Sequence, residues 1–189
     1  MNIPTKKNTA WTPQMLATSA LVIAISFLLS YIKLFSMPAG GSITLVSMLP
    51  VMLFSIFYGT VPGLCCGLAY GLLQFIQKPE VYHWLQVVLD YPVAFAMLGL
   101  AGLFRKQNPK WGLPLGVLVG CFGRFVCHFI TGMVFFAEYA PASDFWSVFL
   151  YSAGYNGSIM GVEAIITMVI ISLPPVQHMV QRVERIVKQ

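Results

Sequence analysis

Residues 123–136 read GRFVCHFITGMVFF, with Arg124 and His128 four positions apart in an otherwise apolar run. On a helix that spacing puts a guanidinium and an imidazole on one face. Two carboxylates sit in other apolar runs, Asp90 in VLDYPVAF and Glu163 in GVEAII. Ionisable groups in such runs are costly and face a bundle interior or a cavity. An acid among aromatic rings attracts an organic cation through charge and cation–π attraction. An imidazole with an amide such as Asn156 suits a heterocycle whose donors and acceptors are fixed. Catalysis would instead need a nucleophile with its base in reach, or a metal pair. Neither HExxH nor GxSxG occurs in the sequence, and one Asp and one His on separate segments do not make an enzyme. The residues point to binding without a metal or other cofactor.

The segments that carry these groups are long and oily. Of 189 residues 58% are hydrophobic and 9% charged, against about 25% charged in a soluble domain. A lipid bilayer is therefore the surrounding medium. Spanning takes roughly 20 apolar residues. Six candidate spans follow, 13–32, 43–58, 61–77, 81–104, 111–137 and 147–174, in a single domain over 1–189. The fold class is an all-α integral membrane protein, a bundle of six transmembrane helices. The first run has no small-residue cleavage site after it, so it reads as a span and not as a leader. Eight of the eleven cations lie near the N-terminus, in the 105–110 loop or near the C-terminus. That asymmetry places both termini in the cytoplasm. Trp11 and Trp111 then fall near inner ends, Trp84 and Trp146 near outer ends. The net charge of +5 sits at segment ends, without a basic stripe, P-loop or zinc-ligand spacing, which argues against nucleic acid. Cys65, Cys66, Cys121 and Cys127 all lie in apolar runs and read as small hydrophobes.

Depth links the polar groups. Asp90, His128 and Asn156 each lie nine residues from the outer end of their segment, roughly 13 Å down at 1.5 Å per residue. His83, Gln86 and Asp90 share a face of the fourth segment, and Ser152, Asn156 and Glu163 share one of the sixth. Pro92 predicts a kink beside Asp90. Arg124 serves either the pocket or an ion pair with Asp90 or Glu163. Glu163, roughly 10 Å below Asn156, suits Arg124's partner or a packing feature better than a ligand contact. His83 reads as interfacial. Glycines every fourth residue, Gly59 to Gly71 and Gly112 to Gly120, predict close helix packing.

Four stretches in order, SMPAGGSITLVSMLP, VLDYPVAF, GRFVCHFITGMVFFAEYAP and YSAGYNG, resemble the thiamine-specific S-component of energy-coupling factor transporters over residues 15–170. The resemblance implies a six-helix bundle of a bacterial cytoplasmic membrane that binds thiamine from outside. It implies thiamine contacts from Asp90, Tyr91, Arg124, His128, Phe136, Tyr151 and Asn156. The first outer loop lacks a tryptophan that the family can carry there, leaving Met37 or the Gly40–Gly41 backbone to cover the ligand. The implied partner is an energising module, a transmembrane coupling subunit with two ATPases, docking on Ala20 and Ala24 of the first helix. Binding of another vitamin or a thiamine precursor is the alternative on the same scaffold. An autonomous ion-coupled transporter, with Asp90 and Glu163 as proton carriers, is the alternative of another class.

Overall fold

A computed structural model describes residues 11–37 and 41–188. Helix α1 (Pro13–Ser30) starts where Thr12 Oγ1 accepts the Met15 N–H at 3.2 Å and Pro13 opens the first turn, a favoured helix start. An antiparallel hairpin follows, β1 (Lys33–Ser36) against β2 (Ser42–Thr44), with Lys33 opposite Thr44 and Ser36 opposite Ser42. Then come α2 (Leu49–Tyr58) and α3 (Thr60–Gln77), joined at Gly59. The fourth helix, α4 (Trp84–Phe104), begins at His83, whose Nδ1 accepts the Leu85 N–H at 3.2 Å. Pro92 has no N–H for the helical ladder. The backbone there widens into a π turn over Leu89–Val93, then tightens to a 3-10 helix over Met97–Phe104. Helix α5 runs Pro109–Phe135 and α6 Phe145–Ser172. Asp144 caps α6, accepting from Ser147 N at 3.0 Å and Ser147 Oγ at 2.6 Å. Those bonds hold its carboxyl below its ordinary pKa.

Five of these helices, α1, α3, α4, α5 and α6, have the length and apolar composition to cross a membrane. The second expected span, 43–58, is different. Residues 42–44 form a strand, and only ten residues are helical, about 15 Å of rise. Local β-structure at residues of high strand propensity (Ile43, Thr44) overrides the apolar count. A seventh helix, α7 (Pro174–Lys188), was not expected. Its Val180 is buried and Val176 and Val183 pack on the core, while Gln177, His178, Arg182 and Arg185 are exposed.

Contacts place the start of α1, the end of α2 and the turn after α4 at one end. Thr18 Oγ1 lies 3.3 Å from the Tyr58 hydroxyl, and Arg105 Nη1 donates to Tyr58 O at 3.2 Å. Helix α7 joins them, its Val180 bordering the same small crevice as Phe57 and Phe104. The cation-rich segments that are described therefore gather at one end, as their charge bias predicts; Lys6 and Lys7 lie outside the described residues.

The apolar core fills that half. Met48, Val51, Met52, Phe54, Leu98 and Val117 are each at most 1% exposed. On the α3–α4 seam a Cβ at Gly67 would overlap the Phe95 carbonyl. Helix backbones thus touch where the glycine stripe runs. Gly154 on α6 has open space around its Cβ position. Gly67→Ala should lower stability by about 1–3 kcal/mol, the scale of overpacking, whereas Gly154→Ala should be neutral or better. Thermal unfolding of the two variants in one detergent checks the contrast.

Candidate functional site

The π turn of α4 carries Asp90, and its carboxylate is the hub of a polar network. Gln86 Nε2, one helical turn before it, donates to Oδ2 at 2.8 Å. Thr131 Oγ1 donates to Oδ1 at 2.6 Å, and His128 Nδ1 lies 2.9 Å from the same oxygen. Arg124 Nε donates to His128 Nε2 at 3.3 Å. A guanidinium has no acceptor, so Nε2 must accept and the imidazole proton sits on Nδ1, facing Asp90. Arg124 Nη1 continues the chain to Glu163 Oε2, 3.6 Å away. Its guanidinium carbon lies 4.0 Å from the Phe95 ring centroid, a cation–π distance. Glu163 Oε1 in turn accepts from Thr44 N at 2.7 Å and Thr44 Oγ1 at 2.6 Å. Of the two ion-pair partners considered for Arg124, the geometry selects Glu163.

A cavity of about 500 Å³ adjoins this network, within the usual range of small-molecule sites. All seven residues named from the motifs line it: Asp90, Tyr91, Arg124, His128, Phe136, Tyr151 and Asn156. Asn156 reaches it because α5 and α6 approach closely. Ser152 Oγ donates to Phe129 O at 2.8 Å, and a Cβ on Gly132 would overlap that hydroxyl. Asn156 Nδ2 donates back to Ser152 O at 3.1 Å. Tyr151 and Tyr155 stack at 5.8 Å, and Phe136 meets Tyr82 edge-on at 4.9 Å. Tyr91 sits at the rim, its hydroxyl donating to Lys78 O at 2.8 Å and accepting from Glu80 N at 3.0 Å. Also at the rim, hydrogen bonding with Tyr82 raises the Tyr139 pKa. His83 is exposed and stacks on Phe135 at 5.1 Å, as its interfacial reading expects.

Some contributors escape a sequence reading. Thr131 is one, although its seven-residue spacing from Arg124 already marked the shared face. Thr44 had no such signal, since its link to Glu163 joins residues 119 apart. Gly41 lines the cavity and Met37 does not; Gly40 lies outside the described residues. Ala20 and Ala24 are exposed on α1, away from the cavity.

The sequence model of the thiamine transporter protein family (Thia_YuaJ) matches residues 16–182. The chain is 35% identical over 150 residues to the thiamine transporter ThiT of Bacillus subtilis, covering 73% of this chain and 77% of that one. It is 26% identical over 174 residues to ThiT of Lacticaseibacillus paracasei, covering 82% and 83%. The solved structure of ThiT from Listeria monocytogenes superposes with a TM-score of 0.75 at 25% identity, over 84% of this chain and 91% of that one.

The donor–acceptor order along the network fixes one tautomer. In ¹⁵N spectra of ligand-free protein, His128 should show a protonated Nδ1 and a bare Nε2. A protonated Nε2 would mean that Arg124 does not bond to the ring.

Proposed function

The chain belongs to the thiamine transporter protein family, and on that premise we propose that it captures thiamine in the cavity beside Asp90 and does no covalent chemistry on it. One observation carries this reading. A carboxylate and an array of aromatic faces border a single space about the size of a small-molecule site. Thiamine joins a permanently cationic thiazolium to an aminopyrimidine with donors and acceptors. Asp90 supplies the negative charge. Its three protein donors occupy three of about four acceptor positions, which leaves one on Oδ2 for the ligand. His128 and Arg124 fix the acid in place, and Arg124 Nη2 retains N–H donors for a ring nitrogen. Phe136 and Tyr151 offer ring faces to the heterocycles, and Tyr91 and Asn156 line the same cavity. Removing the Asp90 charge without changing its shape, in Asp90→Asn, should weaken thiamine binding by about 1.5–3 kcal/mol. Titration calorimetry reads this directly, and an unchanged isotherm would make Asp90 structural.

Energy for transport then comes from elsewhere. We propose that the chain is the substrate-binding subunit of an energy-coupling factor importer, with a transmembrane coupling subunit and two ATPases as partners. The support is the exposed small-residue face of α1. Ala17, Ala20 and Ala24 are all exposed, and small side chains allow another helix to approach closely. Ala20→Trp with Ala24→Trp should leave thiamine affinity of the isolated chain intact while abolishing uptake and co-purification with the module. Loss of affinity would place the alanines in internal packing. Uptake into vesicles holding this chain alone would establish the autonomous ion-coupled reading.

A further inference from the structure

Glu163 is the most enclosed carboxylate among the described residues that border the cavity, with its side chain 3% exposed against 13% for Asp90. Its two oxygens face different parts of the molecule. Oε1 takes both donors of Thr44, the last residue of β2, whose Oγ1 also meets Ser47 Oγ at 2.7 Å. Oε2 is buried with no hydrogen bond and has only the 3.6 Å ionic contact with Arg124 Nη1. A carboxylate placed so deeply needs compensation from every group around it. One turn away on α6, Ile159 Cδ1 lies 3.1 Å from where a Cβ on Gly41 would stand. The hairpin therefore rests on α6 at two points four residues apart, one apolar and one a pair of hydrogen bonds to a carboxylate.

We propose that Glu163 is a positioning residue that couples the β1–β2 hairpin to the Asp90–His128 wall. One carboxylate sets both the seat of Thr44 beside the cavity and the orientation of the guanidinium that holds the His128 ring. Hairpin and wall are then not independent: a group that binds Asp90 and His128 stabilises the hairpin's seat through Arg124 and Glu163. The coupling is a property of the unliganded chain. Its extension to thiamine rests on the proposed function above.

Two substitutions separate the two oxygens. Glu163→Gln keeps an acceptor for Thr44 but sets an amide N–H against Arg124. Glu163→Ala removes both. In ligand-free protein, Glu163→Ala should speed Thr44 amide exchange about ten- to hundredfold, the ratio for losing a hydrogen bond to a charged acceptor. Glu163→Gln should restore most of that protection yet still move the His128 imidazole ¹⁵N signals. Thr44→Val, which keeps the backbone bond, stands in for Glu163→Ala if that variant does not fold; its loss of the Oγ1 donor should also shift the His128 signals. Unmoved His128 signals in Glu163→Gln, or unchanged Thr44 exchange in Glu163→Ala, overturn the proposal. With thiamine added, Thr44 exchange should slow in the parent and not in Glu163→Gln, while equal slowing in both overturns the coupling. A parent that gives no thiamine isotherm refutes the binding reading alone, and the ligand-free exchange and ¹⁵N shifts then decide the role of Glu163.

Discussion

A charge inside a membrane protein has no water to fall back on, so it persists only where other groups surround it. This structure meets that constraint with one connected chain rather than with separate pairs. Gln86 and Thr131 hold Asp90, Asp90 holds His128, Arg124 bridges His128 and Glu163, and Glu163 holds Thr44. The chain draws on α4, α5, α6 and the hairpin, so four parts of the molecule share one electrostatic network. Arg124 adds the Phe95 ring face to its environment, which gives the guanidinium a contact that needs no hydrogen bond.

The uneven helix lengths serve the same end. Helix α2 spans ten residues and is almost wholly buried in the apolar half. None of its residues lines the cavity, whereas Thr44 and Ser47 just before it do. A full-length helix in that position would fill the space with side chains. A short helix preceded by a hairpin leaves it open and supplies backbone and hydroxyl groups for its wall. Non-helical backbone at depth is tolerated where protein covers it or a cavity adjoins it, and the Thr44 N–H, satisfied by Glu163, meets that condition. The π turn on α4 is a second departure from regular helix. It follows from Pro92 and falls on the residues that include Asp90.

Much was already legible in the chain. Apolar runs of sufficient length determine a membrane bundle because the bilayer fixes how many residues a helix needs. The seven motif residues all come to one cavity. Periodicity and distance from a segment end give Asp90, His128 and Asn156 their faces and common depth and Arg124 its face, whereas Tyr91, Phe136 and Tyr151 entered through the family resemblance. Pro92 announced the irregular turn for a purely local reason, the missing N–H. What the sequence left undetermined is whatever depends on partners far along the chain. Apolar content alone could not distinguish helix from strand at Ile43 and Thr44, and α7 alternates its faces on a helical period that a count of apolar residues overlooks. Arg124 had two candidate acids, and only the packing of α5 against α6 selects Glu163. The seating of the hairpin on α6 brings Thr44 to a carboxylate 119 residues away. Periodicity can assign a side chain to a face and a depth; which groups then touch depends on how closely the backbones approach, and that the tertiary structure alone decides.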